Sequence, residues 1–417
     1  MTHQGGMAAP FPRSTDPVAA TDALAARAGL PQGHSRMAAA AATLAAAGAA
    51  LGPASNAGIA LRPSHDIAGV AVRRVYGRQV RTLSAPVHLS GMPDCFTPHS
   101  AVAHSPDFDV LAIPGGYLMN LPNRPVIVTG HGDTVVSDYG TVYAGLLHYY
   151  DFDLRQTLAE AQTVNGTLIS IADDVWPLNF CHWMVDWLPR LAALGELASR
   201  PSTFVAVPPL DAAYQWDTLR LCGFPPERVM QLRPWQAVRA RHLLAPSDLQ
   251  AIPHPGHKAA PWLLTWLRAT LGYGALVERG AGPLPRGKLY VSRGSAPGRR
   301  VVNEDALRAV LEKHGYRSID PNGMPIVEQI AAFAGATHIV APHGAALASV
   351  AFGQPSGSLL ELFPPSYGTA AYYVLSAGLG ASYASYIAHD IVPGARSQLD
   401  DLIVDIPDFL ARCEARL

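Results

Sequence analysis

Two kinds of hydrophobic spacing divide the chain. From about Val70 to Tyr150, short runs such as VAVRRVYG, FDVLAIPGGYLMN and PVIVTGHGDTVVSDYG alternate with Gly, Pro and Asp turns, a pattern that predicts hairpins and a β-rich preamble. Beyond it, continuous apolar runs alternate with stretches of helical period. They are GTLISIA (166–172), an apolar-periodic stretch over Asn179–Leu197, TFVAVP (203–208), a helix over Ala212–Cys222, RVMQL (228–232), ARHLLAP (240–246) and a helix near Pro261–Leu271. Runs that are apolar at every position suit strands buried on both faces, and their alternation with helices predicts βα units around a mostly parallel sheet.

A Gly- and Pro-rich stretch, GYGALVERGAGPLPRG (272–287), interrupts the pattern and marks a boundary. The alternation then restarts with KLYVSR (288–293) and a helix capped by Asn303 with Glu304 and Asp305 in its first turn. YRSI (316–319), a helix over 325–335, THIVA (337–341), a helix over 344–352, SLLEL (358–362), a helix from about Thr369 and SYASYI (382–387) follow. The expected fold class is α/β. Residues 1–60, rich in Ala, Pro and Gly, read as a poorly ordered extension, and residues 61–275 as an N-terminal region joining the preamble to Rossmann-like βα units. Residues 286–390 read as a C-terminal Rossmann-like domain, and 391–417 as a helical tail packing back on the N-terminal region.

With 417 residues, 49% of them hydrophobic, the chain can bury two cores of roughly 150–200 residues each. Its 31 basic and 32 acidic residues leave a net charge of -1, so no global field points to nucleic acid or an anionic membrane, and any anion must be met by a local site. Cys95, Cys181, Cys222 and Cys413 are widely spaced with no C-x-x-C pair, which argues against a structural zinc site and sets a reducing compartment as the default. The stretch Met37–Leu51 is too short and too Ala-rich for a membrane span. A cytoplasmic location with at most peripheral contact with the inner membrane is expected.

Candidate chemistry gathers where C-terminal strands end. Ligands of open α/β sheets sit beyond the carboxyl ends of the strands, and here those ends carry Ser292-Arg293, Pro342-His343-Gly344-Ala345, Glu361 and the loop beginning at Phe363. Gly344 allows close backbone approach, and the helix start that follows favours a phosphate. Arg293, Arg299 and Arg300 offer planar forks for a diphosphate or form a solvated surface loop, and Glu361 reads as an acceptor for ribose hydroxyls or as a helix-start charge or salt-bridge partner. In the N-terminal half, NFCHWMVDWLPRL (179–191) places His182 and Asp186 four apart on one helix face. The pair reads either as a general base or as a core histidine satisfied by its neighbour. Pro189 should kink that helix. Two Asp-Phe-Asp copies, 107–109 and 151–153, carry little metal-binding specificity, and no P-loop, nucleophile elbow or complete G-x-G-x-x-G is present.

Taken together, N-x-x-H-x-x-x-D (Asn179, His182, Asp186) with LPRL (188–191), YVSR (290–293), NED (303–305), EQ (328–329), PHGA (342–345) and LELFPP (360–365) resemble glycosyltransferase family 61, including its bacterial capsular-polysaccharide biosynthesis members. The resemblance covers roughly Val110 to Ile387. It implies a GT-B architecture, two Rossmann-like domains facing a cleft, and inverting transfer from a nucleoside-diphosphate sugar, a UDP-sugar foremost, to a glycan or glycolipid hydroxyl. No metal and no cofactor beyond that co-substrate are implied. Asp186 is then the expected base, with His182 orienting it or acting in its place. Asn179, Arg293, Arg299, Arg300, Asn303, Glu328, Pro342, His343, Gly344, Ala345, Glu361 and Phe363 are the expected donor-side residues. The alternatives are another nucleotide-sugar enzyme, such as an epimerase, or a non-catalytic glycan-binding protein on the same fold.

Overall fold

A computed structural model describes residues 59–96, 101–121, 124–139, 153–172, 179–247, 249, 255–280, 282–365, 367–391 and 399–417. The expectation of a poorly ordered extension over 1–60 falls almost wholly outside them. The chain is a mixed α/β protein with two large sheets. In the first, the strands β1 (Gln162–Ser170), β2 (Thr203–Val207), β3 (Val229–Gln231) and β4 (Ala237–Pro246) run parallel in the order β4-β1-β2-β3. The preamble hairpins extend this sheet: Phe108–Pro114 and Tyr117–Leu121 both pair antiparallel with β4. Two helices, α1 (Ala213–Leu221) and α2 (Pro261–Leu271), accompany the parallel part.

The second sheet is all parallel. Its strands are β5 (Gly287–Val291), β6 (Tyr316–Ile319), β7 (Ala336–Pro342), β8 (Ser358–Phe363) and β9 (Ser382–Ile387), in the order β6-β5-β7-β8-β9. The connecting helices are α3 (Glu304–Lys313), α4 (Ile326–Ala334) and α5 (Ala371–Leu379), and a 3-10 segment, Ala345–Phe352, links β7 to β8. Beyond β9 the sheet takes a sixth strand from the preamble, Val87–His88, with His88 Nδ1 2.7 Å from Ser385 Oγ. The chain leaves β5 to one side for β6 and to the other for β7, so the switch point of this sheet lies between β5 and β7.

The two sheets share a core. One buried cluster joins Trp183, Trp187, Leu263 and Leu267 to Leu289, Phe333, Leu347 and Tyr373. Arg268 of α2 donates to the carbonyl of Gly353, at the end of the 3-10 segment, at 2.7 Å. The stretch expected to be a linker contains a short helix, Tyr273–Val277, before β5 begins.

The expected helix of the tail is present as α6 (Ile406–Cys413), but it packs elsewhere than predicted. Phe409 and Cys413 bury against Tyr290, Leu307 and Tyr386, which places the tail on the C-terminal sheet and not on the N-terminal region. Asp405 caps this helix, its carboxylate accepting from the Asp408 amide at 3.1 Å. The sequence leaves the docking face open, because any exposed apolar sheet face would satisfy an apolar helix stripe.

Candidate functional site

The segment after β1 carries the His182–Asp186 pair, and its helix is not a regular one. Asn179 caps it, its Oδ1 accepting from the amides of Cys181 (2.9 Å) and His182 (3.3 Å). After one α turn, Trp183–Trp187 winds as a π-helix in which Leu188 N donates to Trp183 O, and Leu188–Ser199 continues as 3-10 helix. Pro189 is the physical cause: it has no amide for the Val185 carbonyl, and the chain changes pitch around it. The Asp186 carbonyl accepts instead from Arg190 Nε at 3.2 Å. His182 and Asp186 still meet, Nδ1 to Oδ2 at 2.6 Å.

Two further residues converge on that carboxylate. His257 Nε2 lies 2.6 Å and Lys258 Nζ 2.7 Å from Asp186 Oδ1. Both come from the 3-10 turn Pro255–Ala259, which lies hard against α5: a Cβ on Gly378 would sit 2.7 Å from Ala259 Cα. Arg81 fastens the contact, donating to the carbonyls of Ala259 (2.7 Å) and Gly378 (2.9 Å). Sequence reasoning missed His257 and Lys258. They stand about seventy positions from Asp186 with no motif spacing, and the one available signal was a lysine set in the apolar run HKAAPWLL. Burial alone would raise the Asp186 carboxyl, but the Lys258 charge and the bonds from His182 and His257 outweigh it and hold the group well below the usual carboxylate range. An ionised Asp186 makes His182 Nδ1 the donor and turns Nε2 away from it. The His182 side chain keeps 29% of its exposure, whereas Asp186 keeps none.

The C-terminal group forms at the switch point. Arg293, just past β5, donates from Nε and Nη2 to the Gly298 carbonyl (3.2 and 2.9 Å). Its guanidinium also lies over Gly344, where a Cβ would collide with Nη1. The bare backbone of Pro342-His343-Gly344 therefore accommodates Arg293. Among the described residues Arg293 forms no ion pair with a carboxylate. Burial, with Arg299 beside it, lowers its pKa to about 10, so it stays charged at neutral pH. Arg299 holds a left-handed backbone (φ 56°), donates from Nε to the His343 carbonyl at 2.9 Å and lies over the Tyr367 ring at 5.2 Å.

Several expected donor contacts take other partners. Glu361 is fully buried: His343 Nδ1 bonds one oxygen, and the Tyr383 hydroxyl donates to the other at 2.6 Å, which leaves neither for a ribose. His343 is 3% exposed inside a cage of Phe363 (ring centroids 5.0 Å apart), Tyr367 and Tyr372, so Phe363 packs the histidine. Arg300 is held by Asp401 of the tail, with Nη2 2.6 Å from Oδ2. Asn303 exchanges two bonds with the Val404 backbone (2.7 and 3.0 Å). Asn179 is spent as a cap. Glu328 is exposed on the first turn of α4, and its neighbour Gln329 is the buried one, bonded to Ser349 at 2.9 Å. Pro342 closes β7 opposite Leu362, and Ala345 opens the 3-10 segment. The Asp-Phe-Asp copies are also structural where described. Asp107 and Asp109 pair with Arg74, and Asp153 caps Leu154–Ala159; Asp151 lies outside the described residues.

The structure brings the two groups together. The His182 turn packs on the 3-10 segment that follows Gly344. Cys181, beside His182, bonds Tyr372, whose ring lies 5.2 Å from that of His343. A family model described as Glycosyltransferase 61 matches residues 180–360. Over these residues the chain is similar to glycosyltransferase family 61. The family 61 segment opens on the His182 turn and closes within β8, so it carries His182, Asp186, His257, Lys258, Arg293 and His343 together. No curated protein matches the chain. Among the described residues no helix is long and apolar enough to cross a membrane, and no group of three His, Cys, Asp or Glu side chains is placed to hold a metal ion.

Proposed function

We propose that this protein is a GT-B, inverting, metal-independent family 61 glycosyltransferase that moves a sugar from a nucleoside-diphosphate donor, most simply a UDP-sugar, to a glycan hydroxyl in polysaccharide or glycoconjugate synthesis. One observation carries the reading. A partly exposed histidine aligned by a buried carboxylate adjoins a switch point that holds a charged arginine without an acid partner. His182 acts as the base: Asp186 fixes Nδ1–H, and Nε2 takes the acceptor proton as the hydroxyl attacks the anomeric carbon in line. This reverses the expectation for Asp186, since a carboxylate shut from solvent and bound by a lysine and two histidines is a poor proton acceptor. His257 and Lys258 hold Asp186 in place. The negative charge gathering on the leaving diphosphate is met by Arg293 and Arg299, preorganised by Gly298, Gly344 and Tyr367.

Screening UDP- and GDP-sugars for hydrolysis and transfer tests the activity. Calorimetry with UDP tests the donor side: Arg293→Ala should lose about 1.5–3 kcal/mol of affinity, the worth of a charge-assisted phosphate contact. Unchanged affinity would move the donor elsewhere. UDP binding with neither hydrolysis nor transfer would favour the non-catalytic reading.

A further inference from the structure

Away from the family 61 site, a cavity of about 540 Å³ opens beside β3 and the start of β4. Glu160, Gln162, Gln231, Arg233, Trp235 and Gln236 line it, and all six side chains are exposed. Its size falls within the range of small-ligand sites. Its chemistry is unusual for a surface groove: three amides, one carboxylate and one guanidinium surround a single aromatic ring. Carboxylate and guanidinium balance, so the wall does not select an anion; Val229, Met230, Leu232 and Ala237 also line it but are buried or half-buried, so the exposed wall is polar and does not suit a lipid tail. Gln231 and Gln236 hold their amide oxygens in bonds from the amides of Leu210 and Arg233, both at 2.9 Å, which turns their NH2 groups to the cavity as donors for the vicinal hydroxyls of a pyranose, whose C–H face packs on an indole.

The backbone supports a ligand role for the indole. Trp235 sits at φ 68°, a left-handed conformation that a bulky residue rarely adopts and that persists only where the surroundings impose it. Asn120 imposes it. Its carbonyl accepts from Trp235 N at 2.6 Å, its amide donates to Gln236 O at 2.9 Å, and its side chain donates to Leu232 O at 2.7 Å. The strained turn is thus clamped with 37% of Trp235 exposed at the cavity.

We infer that this cavity is a second, non-catalytic carbohydrate site that grips a neutral oligosaccharide, the acceptor chain, away from the reacting end. The choice of ligand rests on the glycosyltransferase reading, whereas the site itself rests on the cavity. The probe is a printed array of defined oligosaccharides, followed by titration of the best-bound glycan. Wild type and His182→Ala should bind alike, whereas Trp235→Ala should weaken binding by roughly tenfold or more, as for loss of a stacked aromatic face. Gln162→Ala, at an exposed strand start, should weaken it with the fold untouched. No array binding by wild type, or equal binding by Trp235→Ala and Gln162→Ala, overturns the site. Loss in His182→Ala with retention in Trp235→Ala would place the glycan at the transfer centre and overturn it too. Transfer by wild type without array binding would sink this inference and leave the proposed activity standing.

Discussion

His182 and His343 each present Nδ1 to a carboxylate, yet the two pairs are built differently. His182 stands on a π-helical turn with 29% of its side chain exposed, and Asp186 behind it also holds His257 and Lys258. His343 lies in an aromatic cage with 4% of its side chain exposed, and Glu361 behind it binds a neutral tyrosine hydroxyl. One pair faces outward and can exchange a proton with a substrate; the other faces inward and fixes the strand end on which Arg293 rests. A histidine–carboxylate pair is therefore open to solvent in one half, where the proposed function gives it the proton transfer, and sealed into the architecture in the other. Burial and the third partner decide which.

Charge separates the pairs most sharply. Asp186→Asn would remove the carboxylate that buried Lys258 bonds at 2.7 Å, so it should cost about 3–5 kcal/mol in denaturant unfolding and abolish transfer. Because Asp186 is held well below its ordinary range, its contribution is complete above about pH 4 and lost as the pH falls through the folded value. The acid limb of the wild-type stability curve should accordingly be shallower in Asp186→Asn, with Asp401 and Asp408, which are also held low by their arginines, supplying what remains. Glu361→Gln removes no partner of a lysine or arginine and keeps the shape, so about 1–3 kcal/mol is expected. A loss as large as that of Asp186→Asn would show the inner pair to be equally charge-dependent. Smallest is Asn303→Ala, which frees Val404 and should cost about 1 kcal/mol of melting stability while UDP affinity stays the same. A fall in affinity would return Asn303 to the donor side.

Strand and helix order was legible because continuous apolar runs and helical periods alternate cleanly from β1 to β9. The position of Arg293 and Gly344 beyond neighbouring strands followed from the strand-end rule. Which groups face a ligand was not legible. Glu361, Arg300 and Asn303 look alike in sequence as exposed polar residues at loop edges, yet Tyr383, Asp401 and Val404 consume them, and two of those partners lie in a tail whose docking face the pattern leaves open. His257 and Lys258 were hidden for the converse reason: their partner is distant in the chain, and the close approach at Gly378 that delivers them leaves no periodic signal.

The central claim is that His182 takes the proton while Arg293 and its neighbours hold the donor. Sugar transfer and UDP affinity measured on one preparation of folded His182→Ala test it most directly. Transfer should fall by about 10²–10⁴-fold, the usual worth of a general base, with UDP affinity unchanged. Wild-type transfer by that variant would contradict the account.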